Sequence, residues 1–172
     1  MKKYTALILL LLWCAGLCAC AVSSGSEPVE FHYPWANLES AMEQDPDCTA
    51  IGSEEREISG NRENLRYLLT IYFRGPLDAS LRSPFPAGTA VEEIQTEETT
   101  LTLTLTPAFA QLKEMDLTIA CTSLARTCFG LTEVQSIVVQ TPETEDGSQV
   151  SVSISRDSIL MEDSTPDTTP TE

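Results

Sequence analysis

The sequence has little with which to do acid–base chemistry. Its 172 residues include one histidine, His32, and lysine occurs at positions 2, 3 and 113. Hydrolytic and group-transfer chemistry calls for a base placed beside a nucleophile, and no such neighbour of His32 is evident. The G-x-S-x-G, H-E-x-x-H, Walker and dinucleotide patterns are all missing. Basic residues are scarce overall: 10 Lys+Arg stand against 26 Asp+Glu, a formal charge of −16. That excess repels phosphate backbones and anionic headgroups, which excludes nucleic acid as a partner of the domain body. Disorder is excluded too, because 42% of the residues are hydrophobic. The length suits one domain with a single core.

What is present begins at the N-terminus. Lys2 and Lys3 precede a short apolar run, Ala6 to Trp13. A bilayer span needs about 20 apolar residues, so this run fits the h-region of a secretory signal. The residues Leu17-Cys18-Ala19-Cys20 resemble the lipobox of bacterial lipoproteins, where a small residue precedes a cysteine that becomes a diacylglyceryl thioether. The resemblance implies cleavage before Cys20, acylation (palmitate) on Cys20, and attachment to the extracytoplasmic face of the cell membrane. An ordinary secretory signal and an uncleaved anchor are the competing readings. Two acyl chains anchor stably where one does not. Residues 1–19 are thus read as signal peptide and 20–29 as lipidated cysteine and tether. The stretch Ala21 to Val29 reaches at most ~30 Å when extended.

Losing Lys2 and Lys3 with the signal takes the formal charge from −16 to −18. Cys14 and Cys18 leave as well, so Cys48, Cys121 and Cys128 remain in the body of the domain. This is no disulfide-dense scaffold. Whether Cys48 pairs with Cys121 or with Cys128 stays open at this level.

Residues 30–155 carry the pattern of one folded domain. Phe31, Tyr33 and Trp35 alternate with His32 and Pro34, which places three aromatics on one face of a strand with an edge position at the proline. Asp45-Pro46-Asp47 marks a turn, and a short strand ends near Arg56 to Ile58. Leu65, Leu68, Leu69, Tyr72 and Phe73 form one helical face, capped by Ser59 or Asn61 and stopped by Gly75-Pro76. A strand begins at Val91 to Ile94. The short Thr-Glu-Glu connection then makes a hairpin with Thr99 to Thr106, whose strict alternation turns Leu101, Leu103 and Leu105 inward and Thr100, Thr102 and Thr104 outward.

A second helical stripe runs through Leu117, Ala120, Cys121, Leu124, Ala125 and Cys128, with Gly130 as its expected C′ residue. Strands from Val134 to Val139 and from Val150 to Ile154 follow. Residues 156–172 are read as an acidic Thr/Pro-rich tail. This order predicts an α+β two-layer sandwich: a small mixed sheet with two helices on one face.

Few residues qualify for chemistry. His32 lies among core aromatics and reads as a strand residue rather than a base. Cys121 and Cys128 are ~10.5 Å apart along a helix axis, too far for a mutual disulfide or a C-x-x-C metal pair, so they read as small core hydrophobes. The acidic runs Asp45 to Asp47 and Glu143 to Gly147 do not match a calcium-loop spacing. No catalytic residue, metal or cofactor is expected.

The stretch from Asn61 to Gln140 resembles the GerMN domain of sporulation and spore-germination lipoproteins. The resemblance is carried by NLRYLLTIYFRGP (64–76), PAGT (86–89), LTLTLTPAF (101–109) and SLARTCFGLTEVQSIVV (123–139), with FHYP and EEREIS upstream. It implies a compact α+β fold similar to ring-building motifs, no active site, and a role in assembling membrane-associated envelope complexes in sporulation or germination. The expected partners are envelope proteins or further copies of the chain. The rival expectation is a ligand-binding lipoprotein that captures a small molecule or cell-wall fragment at the loops around Pro84 to Gly88.

Overall fold

The computed structural model describes residues 28–144, 147 and 149–160. Strand β1 (Val29–Pro34) pairs antiparallel with β2 (Ile51–Arg56), and helix α1 (Leu38–Gln44) lies between them in sequence. Helix α2 (Leu65–Tyr72) leads to β3 (Val91–Glu97) and β4 (Thr100–Leu105), an antiparallel hairpin. A 3₁₀ turn at Pro107–Gln111 and the long helix α3 (Glu114–Leu131) carry the chain to β5 (Ser136–Gln140), which lies parallel to β4. Strand β6 (Ser151–Ser155) then pairs antiparallel with β5, and a short helix α4 (Arg156–Leu160) ends the described chain.

The fold is α+β and accords with a two-layer sandwich. The strands divide into a two-stranded sheet, β1-β2, and a four-stranded mixed sheet in the order β3-β4-β5-β6. One sheet was the expectation from sequence. The side of β1 away from β2 meets α3, where the His32 backbone N–H donates to Thr127 Oγ1 at 2.9 Å, a contact between residues far apart in sequence.

Alternation explains β4 well. Leu101, Leu103 and Leu105 are fully buried, and Thr100, Thr102 and Thr104 are half-buried on the opposite face. In α2, Leu68, Leu69 and Tyr72 are buried, as the spacing requires. Its cap is Asn64, whose side chain accepts from the Tyr67 N–H at 3.1 Å, and not the expected Ser59 or Asn61. After α2 the chain turns at Gly75, whose φ of +92° is a conformation that side chains with a Cβ disfavour.

Helix α3 is buried on more than one stripe, since Ser123 and Thr127 are as inaccessible as Leu124 and Cys128. The helix packs against β1 of the smaller sheet as well as β5, β6 and α4, which widens its buried face and leaves Thr118, Thr122 and Arg126 on the more exposed side. It also continues past its expected end. Gly130 lies within the last turn, and Thr132 closes the helix with its hydroxyl donating to the Cys128 carbonyl at 2.7 Å.

Aromatic rings fill the space between β1 and α2. Tyr33 and Tyr72 stack at 4.7 Å, and Phe31, Phe73 and Phe85 surround Tyr72. Each phenol satisfies its hydroxyl on the other's element: Tyr33 donates to the Tyr72 carbonyl at 2.7 Å, and Tyr72 to the His32 carbonyl at 2.8 Å. Burial raises both phenol pKa values above their ordinary range.

Arg156–Leu160, assigned by composition to the tail, belongs to the folded body. Arg156 donates to the carbonyls of Phe129, Thr132 and Val134, stacks its guanidinium 4.7 Å from the Phe129 ring, and draws α4 back against α3.

Candidate functional site

Among the described residues, a cavity and a sheet edge stand out as places for a partner, and both follow from how strands end. The first is a cavity of about 460 Å³, within the range of small-molecule sites. It forms where β1 gives way to Trp35. The indole N–H donates to the Thr49 carbonyl at 2.9 Å, and the ring lies on the backbone of β2 at Gly52. A Cβ at Gly52 would stand 2.6 Å from that ring, so only glycine allows this approach. Ser40, Ala41 and Gln44 of α1 form one wall, Asp78 to Ser80 form the other, and Asp45 and Cys48 complete the lining.

A buried ion pair holds the second wall in place. Phe31 stands opposite Glu54 in the β1-β2 register, and Val29 opposite Arg56, so both charges face the aromatic interior. Arg56 and Glu54 are paired, with their side chains 8% and 9% exposed. Arg56 also donates to the Gly75 carbonyl at 2.7 Å and lies 5.1 Å from the Phe31 ring centre. Glu54 accepts the backbone N–H groups of Leu77 and Asp78 at 3.0 and 2.9 Å. Charges so enclosed persist only where such partners satisfy them, and here they fasten the loop after α2 to β2. Asp78 in turn accepts from the Ser80 backbone N–H and hydroxyl, which hold its carboxyl below the usual carboxylate range.

The second feature is the four-stranded sheet. Its outer face carries cross-strand rows of polar residues: Glu97, Thr100, Ser136 and Ser155 in one, and Glu93, Thr104, Gln140 and Ser151 in another. Hydroxyls and amides link neighbours along them, as in Thr100 to Ser136 at 2.8 Å and Gln140 to Thr104 at 3.1 Å. The two edges differ. Strand β3 bears Glu92, Glu93 and Glu97, and Arg66 bonds its Val91 and Glu92 carbonyls. Strand β6 reads Ser-Val-Ser-Ile-Ser, without charge.

The residues singled out from sequence disperse over this framework. Cys20 lies outside the described residues. His32 is half-buried in β1, with its backbone engaged by Thr127 and Tyr72. Cys121 and Cys128 are buried in α3, and burial pushes their thiols up to about 11 and about 12. Cys48, Cys121 and Cys128 are all free, with Cys48 the only one of them at the cavity. The Pro84 to Gly88 loop does not line that cavity. Pro84 is buried, Phe85 packs on Tyr72 and Phe73, and the Gly88 carbonyl accepts from Thr106 Oγ1 at 2.8 Å.

Among the described residues no three His, Cys, Asp or Glu side chains converge as a metal-ligand set, and no helix is long and apolar enough to cross a membrane. The Glu54–Arg56 pair was not foreseen from sequence; the available signal was the E-E-R run at the end of a strand, which polarity alone turns outward. No family model matches the chain, and no curated protein or solved structure matches it either.

Proposed function

We propose that this chain is a lipid-anchored envelope protein of the GerMN type, which acts through protein contacts to support assembly of a membrane-associated complex in sporulation or germination. Anchoring is supported by the Leu17-Cys18-Ala19-Cys20 box behind Lys2, Lys3 and the Ala6 to Trp13 run. The observation that carries the assembly reading is the uncharged edge of β6 beside the polar face of the four-stranded sheet. An unpaired edge offers backbone donors and acceptors to another chain, and tethering within ~30 Å of a bilayer makes weak contacts effective. Burial pushes the thiols of Cys121 and Cys128 up to about 11 and about 12.

Metabolic labelling with a clickable fatty acid tests the anchor. Wild-type chain should take up label, and Cys20→Ala should remain an unlabelled precursor. Equal labelling of the two would overturn it. A pull-down from crosslinked membranes then names the envelope partners.

The Trp35 cavity favours a second reading, capture of a small molecule by a lipoprotein. Native mass spectrometry of the protein released from membranes discriminates the two. A stoichiometric small-molecule adduct lost on Gly52→Leu supports capture, and an unliganded mass counts against it.

A further inference from the structure

The described strands at sheet edges are not equivalent. Strand β1 carries Glu30, β2 carries Glu54 and Glu55, and β3 carries three glutamates. Charge on an edge is the common means of preventing strand addition. Strand β6, Ser151–Ser155, has neither charge nor proline, and the uncharged stretch extends back through Gln149 and Val150. In a chain of formal charge −16, a second copy can approach closely only where its acidic groups are remote.

The sequence of β6 is also symmetric about Ser153. Antiparallel pairing of two copies about that residue sets Ser151 opposite Ser155, Val152 opposite Ile154, and Ser153 opposite itself. Val152 and Ile154 lie half-buried on the core side of the sheet, and Ser151, Ser153 and Ser155 are exposed on the other. Pairing therefore matches apolar to apolar and hydroxyl to hydroxyl, which is the condition for a defined register. The neighbouring helix α4 is tied to the end of α3, where the Arg156 guanidinium donates to the Phe129 and Thr132 carbonyls.

We infer that two copies of this chain pair through β6 across a two-fold axis at Ser153, joining two four-stranded sheets into one. The inference rests on the assembly reading and names its first partner as a second copy. Interface symmetry of this kind is self-complementary and closes at two subunits. At a strand spacing of ~4.8 Å, the glutamate-bearing β3 edges end up roughly 34 Å apart, well beyond the ~8 Å Debye length at physiological salt. Pairing through β3 would instead set glutamates against one another.

The test uses full-length chain in membranes, carrying Cys48→Ser, since Cys48 is half-buried whereas Cys121 and Cys128 are buried. Ser153→Cys places two cysteines directly opposite one another, at a Cα separation of about 4.5–5.5 Å that a disulfide can bridge. Mild oxidation should give a disulfide-linked dimer on a non-reducing gel, whereas Glu97→Cys on β3 should give none. Ser153→Glu, which opposes two carboxylates at the axis, should weaken dimerisation of detergent-extracted chain by roughly tenfold with the melting temperature unchanged. Absence of the Ser153→Cys dimer, or equal crosslinking at both edges, overturns the pairing. If that dimer is absent while envelope proteins still co-purify, the pairing falls and the assembly reading stands. If the dimer forms and nothing else co-purifies, the pairing stands and a wider complex does not.

Discussion

The two sheets obey different rules. In β4 polarity and position agree: leucines point inward and threonines outward. In β2 they disagree, because the inward positions across from Tyr33, Phe31 and Val29 are Gly52, Glu54 and Arg56. The first arrangement is stabilised by apolar burial at about 25 cal/mol per Å². The second stabilises little by itself, since desolvation offsets much of the attraction within a buried pair. What the pair does is positional. It joins β2 to the loop that walls the Trp35 cavity, whereas the larger sheet builds the core that carries an edge.

The comparison breaks most readily at the core. Leu124, fully buried on α3, should not tolerate a carboxylate: Leu124→Asp should abolish cooperative unfolding in a thermal melt. Thr102→Asp, on the outer face of β4, should change stability by about 0.5 kcal/mol or less. Comparable losses in the two would mean that the facing of the larger sheet is off by one residue.

The smaller sheet is tested by removing one charge or both. Arg56→Ala leaves Glu54 enclosed without its cation and should cost about 3–5 kcal/mol in denaturant unfolding. Glu54→Leu with Arg56→Met should recover much of that loss. The double variant should still speed hydrogen exchange at Leu77 and Asp78, whose N–H groups lose the Glu54 acceptor. Full recovery of protection there would show that the pair does not hold the loop.

A smaller effect comes from the thiols. Cys121 and Cys128 have pKa values raised from 9.0 to about 11 and about 12. Around those pH values the unfolded chain holds fewer protons than the folded one, so stability is intact below about pH 9. It should fall as pH rises towards 12. Melts of Cys121→Ala/Cys128→Ala, compared with wild type across that window, should show a shallower decline. At pH 8, Cys48 should react with a thiol reagent well before either.

Much of the larger sheet was legible because alternation and helical spacing are local signals. The α2 face, the hairpin and the order β4, α3, β5, β6 all follow from them. The division into two sheets was not legible, and neither was the meeting of α3 with the side of β1, a contact between residues far apart in sequence. Helix α1 buries none of its residues, so no apolar period marks it; its one local signal is the cap, where Asn37 accepts from the Ser40 N–H at 3.2 Å. The cavity draws on Trp35, on α1 and on Asp78 to Ser80, segments that no period connects. The β6 edge was written in the sequence as Ser-Val-Ser-Ile-Ser, but its lack of charge acquires meaning only once it is known to be an edge.

Co-purification from crosslinked membranes tests the central claim, that the domain works through contacts made at this edge while held at a membrane. Wild-type chain should retain its envelope partners. Cys20→Ala, which loses the tether, and Ser153→Glu, which keeps both fold and tether, should each lose most of them. Undiminished capture by Ser153→Glu, at an unchanged melting temperature, would contradict the account.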